Sequence, residues 1–266
     1  MAGFIVYEGS SRIDGSPIVC IVTGIGDRKS DRSRNAKTGE MAQVWYLLRD
    51  VSPMAAINSG EDSGICGSCP LRGIIEKQQD GSGRNRMRSC YVDVSNAPRA
   101  IWQAYQDGKY DPLPADYTWR DQSTRLGAYG DPVVVPVRIN RDLIRRGNGS
   151  HTGYSHQWRK AKFQSSRNLL MASVESAEDA AEAQRRGWRT FRTMSADSAL
   201  TGSEILCPAS TEAGNVRTCE TCRACNGSSS APNENPLQRS IVIVAHGSPS
   251  RLGSYARMIG GVVDAK

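Results

Sequence analysis

The stretch LLMASVESAEDAAEAQRRGWRTFRTM, residues 169–194, decides the fold class. Its first eight residues, LLMASVES (169–176), read as a short apolar segment of strand type. The next eleven, AEDAAEAQRRG (177–187), are rich in Ala, Glu and Arg and end on a glycine, as a helix does. RTFRTM (189–194) then returns to a strand pattern. A strand, a helix and a strand in 26 residues make one βα unit with a parallel partner. The same alternation extends in both directions: SCYVDV (89–94), RLGAYGD (125–131) and HTGYSHQW (151–158) precede it, and ILCPAS (205–210) and IVIVAHG (241–247) follow. Helices are expected over 97–108 (Ser95 or Asn96 as cap, Gly108 as stop) and over 140–147. The fold class is therefore α/β, with a parallel sheet expected to curl into a partial or complete βα barrel of TIM type.

Upstream, residues 18–25 and VWYLLRD (44–50) read as buried strands, separated by the polar run DRKSDRSRNAKTG (27–39). We expect residues 1–88 to form an N-terminal segment packed on the barrel and residues 89–266 to form the barrel, the two making one compact unit. NGSSSAPNENPLQR (226–239) has the composition of a flexible connector.

The chain has 266 residues, Lys+Arg 34 against Asp+Glu 27 and a net charge of +7, and its mean hydropathy is −0.48. No window approaches the roughly 18 apolar residues of a membrane span, and no secretory signal pattern is visible. The chain reads as soluble and intracellular. In a reducing compartment, 8 cysteines point to metal or redox chemistry rather than disulfides.

Seven of the eight fall into two groups. Cys219, Cys222 and Cys225 form C-x2-C-x2-C, with Cys207 upstream. Three thiolates at that spacing plus a fourth suit a [4Fe-4S] cluster, which takes one sulfur per iron. Zinc also accepts four thiolates, more often from two separated pairs. The N-terminal group is Cys66, Cys69 and Cys90. Three ligands would leave one iron open, and Cys20 or a histidine would close the site; a zinc knuckle is the structural alternative. Cys20, inside an apolar run, reads as a buried core thiol.

These stretches, taken in order over most of the chain, resemble the phage "gene product 88"-like family: NAKTG (35–39), ICGSCPLRG (65–73), SCYVDV (89–94), RLGAYGDP (125–132), HTGYSHQW (151–158), GWRTFR (187–192) and CPAS with CETCRAC (207–225). The resemblance implies a phage-encoded protein in the host cytoplasm. It also implies a radical-SAM-like barrel with iron–sulfur chemistry and no defined reaction. The radical-SAM signature C-x3-C-x2-C appears nowhere in the sequence, and no glycine-rich clamp for SAM is recognisable. SAM therefore enters only as a cofactor that the barrel type implies.

At the predicted strand ends, Asp131, His156 and Tyr154 are candidate catalytic groups, with Asp131 and His156 as an acid/base or ligand pair. Tyr129, His151 and Trp158 are candidate cofactor contacts, and ordinary loop hydrogen bonding is the alternative for each. His246 is a weaker candidate. The glycine-containing stretches 23–30 and 81–86 lack phosphate-loop spacing. Basic runs at 28–37, 84–88, 138–146 and 159–167 leave two kinds of partner: a small or anionic molecule, or nucleic acid bound through residues such as Arg145 and Arg146. The functional expectation is an iron–sulfur protein that binds a small molecule or does redox work at the barrel mouth. Its rival is a zinc-stabilised nucleic-acid-binding accessory protein.

Overall fold

A computed structural model describes residues 3–202, 204–228 and 239–260. The chain opens with an antiparallel meander of β1 (Gly3–Ser10), β2 (Pro17–Thr23) and β3 (Ala42–Leu48). Strand β3 is buried at every position. That fits a strand covered on both faces, for which a near-continuous apolar run is the sequence form. Helices α1 (Pro53–Ser59) and α2 (Ser63–Cys66) and the hairpin β4 (Ile74–Lys77) and β5 (Gly83–Arg86) follow, then α3 (Ala97–Gln106) and the short β6 (Asp111–Pro112).

The repeating part comprises β7 (Thr124–Tyr129), α4 (Val137–Arg146), β8 (His151–Thr152), β9 (Tyr154–Ser155), β10 (Met171–Val174), α5 (Ala177–Arg185) and β11 (Thr190–Met194). It ends with β12 (Glu204–Leu206), α6 (Cys219–Cys222), β13 (Ser240–Val244) and α7 (Pro249–Ile259). Two sheets result, ordered β6-β1-β2-β3-β7-β8 and β12-β13-β11-β10-β9. Every pairing from β3 onward in this array is parallel. Only Gly153 separates β8 from β9; its carbonyl accepts from Met171 N–H at 2.9 Å and its N–H donates to the Cys225 carbonyl at 3.1 Å. The outer strands are β6 and β12, and among the described residues no pairing joins them into a closed barrel.

The expected βα unit at 169–194 forms as β10, α5 and β11. Ser176 accepts the Asp179 N–H at 3.0 Å at the start of α5, Glu178 and Asp179 lie in its first turn and Arg185 in its last. Each of these placements favours the helix ends, through capping and through the dipole. Helix α4 starts at Val137, earlier than its expected 140.

The expected strand at 89–94 does not form. Ser89 and Cys90 N–H both donate to the Leu71 carbonyl, at 3.2 and 3.0 Å, and the Asp93 carboxylate takes the Ser95 N–H and hydroxyl. Asx chemistry of this kind bends the chain and competes with a ladder. Of the proposed connector, residues 229–238 lie outside the described residues.

One apolar core runs from Ile18 to Trp188 and draws residues from both sides of position 88. A smaller cluster joins Met171, Ala209, Ala224, Ile241 and Ile243 to Cys207 and Cys225, so these two thiols are part of a hydrophobic layer. Among the described residues no helix is long and apolar enough to cross a membrane.

Candidate metal and ligand site

The N-terminal cysteine group is built on a rigid loop. Cys66 closes α2, and its N–H donates to the Asp62 carbonyl at 2.8 Å. Gly67 follows with φ of 57°, and a Cβ there would meet the Gln157 amide at 2.4 Å. Only glycine fits both the left-handed backbone and the contact. The turn sends the chain back so that the Cys69 N–H reaches the Cys66 carbonyl at 3.2 Å, while Gln157 holds the same carbonyl at 3.0 Å.

Beneath the loop, the fully buried Asp62 takes the Arg72 Nε at 3.0 Å, and Arg72 also donates to the carbonyls of Gly60 and Gly67. Arg88 approaches Asp62 from the other side at 3.8 Å. Burial raises the Cys66 thiol pKa, and the neighbouring Cys69, Asp62 and Cys90 raise it further. Cys90 is likewise pushed up by burial, against the Arg88 charge.

His156 faces this group. Its Nε2 lies 3.8 Å from Cys69 Sγ and 2.8 Å from the Glu175 carboxylate. Burial pulls its pKa down, but the charges of Cys69 and Glu175 outweigh burial and hold it well above the ordinary imidazole value. Asp131 fixes the segment: its carboxylate accepts the His156 N–H and the Ser155 hydroxyl, each at 3.0 Å, and the Val133 N–H at 3.1 Å. Its own N–H donates to the Ile65 carbonyl at 2.7 Å, tying it to α2. Burial raises its carboxyl pKa to about 6 despite these donors.

Cys207, Cys219, Cys222 and Cys225 all line one cavity of about 440 Å³, a size common to small-molecule sites. Cys207 continues β12, donating its N–H to the Val242 carbonyl at 2.8 Å. Cys219 begins α6, whose start carries a reciprocal Thr218–Thr221 capping box. The Cys219 N–H donates to the Lys37 carbonyl at 2.9 Å, and Glu220 accepts the Glu40 N–H at 3.1 Å. The NAKTG loop thus lies against these thiols. Arg189 gathers the carbonyls of Ala224, Gly227 and Arg239 and so anchors the loop that carries Cys225.

Burial raises the thiol pKa of Cys207, Cys219 and Cys225, and the other thiols of the group add to each. Tyr154 and Cys225 line the same cavity wall, and burial and the neighbouring thiol both raise the tyrosine's pKa. Lys37, Arg125, Arg251 and Asp93 are the charged residues on the cavity wall, and His246 lines it too, 6.1 Å from Tyr91 between ring centroids.

The sequence-derived candidates therefore separate. Tyr129, Asp131 and His156 gather at the first cysteine group, and Tyr154 at the second. His151 is buried, its Nε2 against the Leu169 carbonyl at 2.9 Å, and it does not line the cavity. Trp158 is 1% exposed, donates to the Ser173 carbonyl at 3.1 Å and belongs to the core. Neither touches the thiols as a cofactor contact would. Arg192 is buried inside β11 and paired with Glu204 at 2.7 Å. Cys20 is a core thiol, fully buried beside Tyr46.

Sequence reading missed Glu175, Arg88 and Lys37. Lys37 and Arg88 had a visible signal only as members of the basic runs 28–37 and 84–88, with Lys37 also inside NAKTG.

The chain matches no family model, no curated protein and no solved structure. Among the described residues, all eight thiols are free of disulfides. No three Cys, His, Asp or Glu side chains among them already converge as ligands of one metal ion. Fit is therefore tested on donor chemistry. At the second group, four soft sulfurs share one partly apolar cavity, which suits an iron–sulfur cluster or zinc and not a hard cation. At the first, Tyr129 OH and Arg88 Nη2 are buried donors without a partner. Thiolate or sulfide sulfur would accept from both.

Proposed function

We propose that this chain is an iron–sulfur protein in which Cys207, Cys219, Cys222 and Cys225 hold a [4Fe-4S] cluster at a cavity that receives a small molecule. The observation that carries the reading is that all four thiols, 18 residues apart at their extremes, line the same cavity. When bound, such a cluster supplies single electrons. The chain's own residues would then do the rest: Tyr154 stands beside Cys225, Arg189 fixes the loop, and Lys37 and Arg125 place positive charge beside the thiolates.

We further read the parallel array as part of a βα barrel with its cysteines at the mouth, as in the phage family it resembles, acting in the host cytoplasm. SAM is not required by this reading.

Anaerobic purification tests it. The expected product is brown, with broad absorbance near ~400 nm and iron matched by acid-labile sulfide. A colourless protein with zinc alone contradicts it.

The rival, a zinc-stabilised nucleic-acid-binding protein, is favoured by one observation: Arg138, Arg141 and Arg145 are all exposed on α4. Arg146 does not belong to that face, because it is held by Asp142 and by the carbonyls of Pro114 and Tyr117. On the rival reading, replacing the three exposed arginines weakens DNA or RNA binding and flattens its salt dependence. Unchanged binding excludes that groove.

A further inference from the structure

We infer that His156 is the fourth ligand of a metal centre at the first cysteine group, completing Cys66, Cys69 and Cys90. The inference rests on reading these thiols as metal ligands, and it deepens that reading at one group.

Three observations point to it. First, the His156 Nε2 and Cys69 Sγ are 3.8 Å apart. Two ligands of one tetrahedral ion, with bonds of about 2.3 Å to sulfur and 2.0–2.1 Å to nitrogen, stand roughly 3.6 Å apart. This pair already spans the width of one ion, and the closing of Cys66 and Cys90 is what the experiment reads.

Second, the imidazole is placed by its surroundings rather than by chance packing. Asp131 fixes its backbone, and Glu175 holds its ring at 2.8 Å. In the metal-free chain Glu175 occupies the same Nε2 that would ligate, so it holds the ring toward Cys69 and competes with the metal for that nitrogen. Because Nε2 meets both the thiol and Glu175, ligation exchanges the Glu175 hydrogen bond for a metal bond, or turns the ring to divide the two partners.

Third, the site contains buried donor atoms that make no hydrogen bond. Tyr129 is 3% exposed, and its hydroxyl has no partner; the Arg88 Nη2 is buried and also unpartnered. Both residues lie within electrostatic reach of Cys66 and Cys90. Buried donors are almost always satisfied. Metal-bound thiolate, or cluster sulfide, would accept from both; the other buried acceptor here without a partner is Asp62 Oδ2, 3.8 Å from Arg88 Nη1.

The consequence is functional. A centre closed by three thiolates and an imidazole offers no open coordination position to a substrate. It serves as an electron carrier or a structural clasp, and ligand chemistry falls to the cavity of the second group.

The test uses the full chain prepared anaerobically. Pulsed EPR of the reduced protein is expected to show nitrogen coupling from a coordinated imidazole. His156→Cys is expected to keep the metal and lose that coupling, and Cys66→Ser with Cys69→Ser to remove the centre. A cluster signal without nitrogen coupling overturns the inference. So does metal stoichiometry unchanged by the paired cysteine substitution.

If the protein carries zinc instead of iron, the proposed function fails but the ligand assignment is still tested. In cobalt-substituted protein, His156→Cys must then shift the visible cobalt bands, and an unshifted spectrum overturns it. Far-UV circular dichroism on each variant separates loss of a ligand from loss of the fold.

Discussion

The two cysteine groups share C-x2-C spacing and sit in opposite surroundings. The first lies on a loop cross-braced by Asp62, Arg72 and Gln157, with a half-buried histidine facing it; its thiols do not line the cavity, although Ser89 and Tyr91 on either side of Cys90 do. The second lies on short, capped segments that join an apolar cluster and open onto a cavity of about 440 Å³. Spacing alone made both look like ligand sets. On the proposed reading the two groups would do different work: the first a clasp or relay, the second a place where a ligand meets a metal centre.

The sharpest way to break this contrast is to remove one thiol from each group. Cys225→Ser should abolish the metal of the second centre and leave that of the first, read by iron and sulfide content per chain. Equal loss at both groups would mean one shared centre.

Next in size is the brace. Arg72→Ala leaves the buried Asp62 carboxylate with only the more distant Arg88, and breaking a buried pair costs up to about 3–5 kcal/mol. Urea unfolding should show that loss, with the second group's metal retained by the folded fraction. A change under 1 kcal/mol would mean that the loop is held by something else.

A pH effect follows from Asp131. Its carboxyl pKa is raised to about 6 in the folded chain from 3.8. The group therefore contributes stability fully present below its unfolded value, which is lost as pH rises through about 6. Between pH 4 and 7 wild type should lose up to roughly 3 kcal/mol relative to Asp131→Asn. Parallel stability curves for the two proteins would contradict this.

The smallest effect belongs to Cys20. Cys20→Ala removes one buried sulfur from the core and should cost about 1 kcal/mol with no change in bound metal. Any loss of metal would make Cys20 a ligand and reopen the first group.

Much of this was legible in the sequence because it is written in local chemistry. The unit at 169–194 carries its own cap, helix composition and stop, and β2 and β3 carry unbroken apolar runs. The segment at 89–94 misled because its alternation is genuine, while Asp93 and the pull of Leu71's carbonyl on Ser89 and Cys90 turn the chain. Trp158 and His151 misled for a different reason. In HTGYSHQW they look like neighbours of Tyr154 and His156, but His151 turns its ring to the Leu169 carbonyl and Trp158, in the turn after β9, to the Ser173 carbonyl, both away from the thiols. Glu175 carried no signal, since its partnership with His156 exists only once β10 pairs with β9.

The central claim is most directly tested by metal and sulfide analysis with EPR on anaerobically prepared full-length chain. The account predicts iron and acid-labile sulfide in near-equal amounts and a reduced-cluster EPR signal, both lost on Cys225→Ser at the second group. Zinc without sulfide, or a metal-free protein that is fully folded, would contradict it.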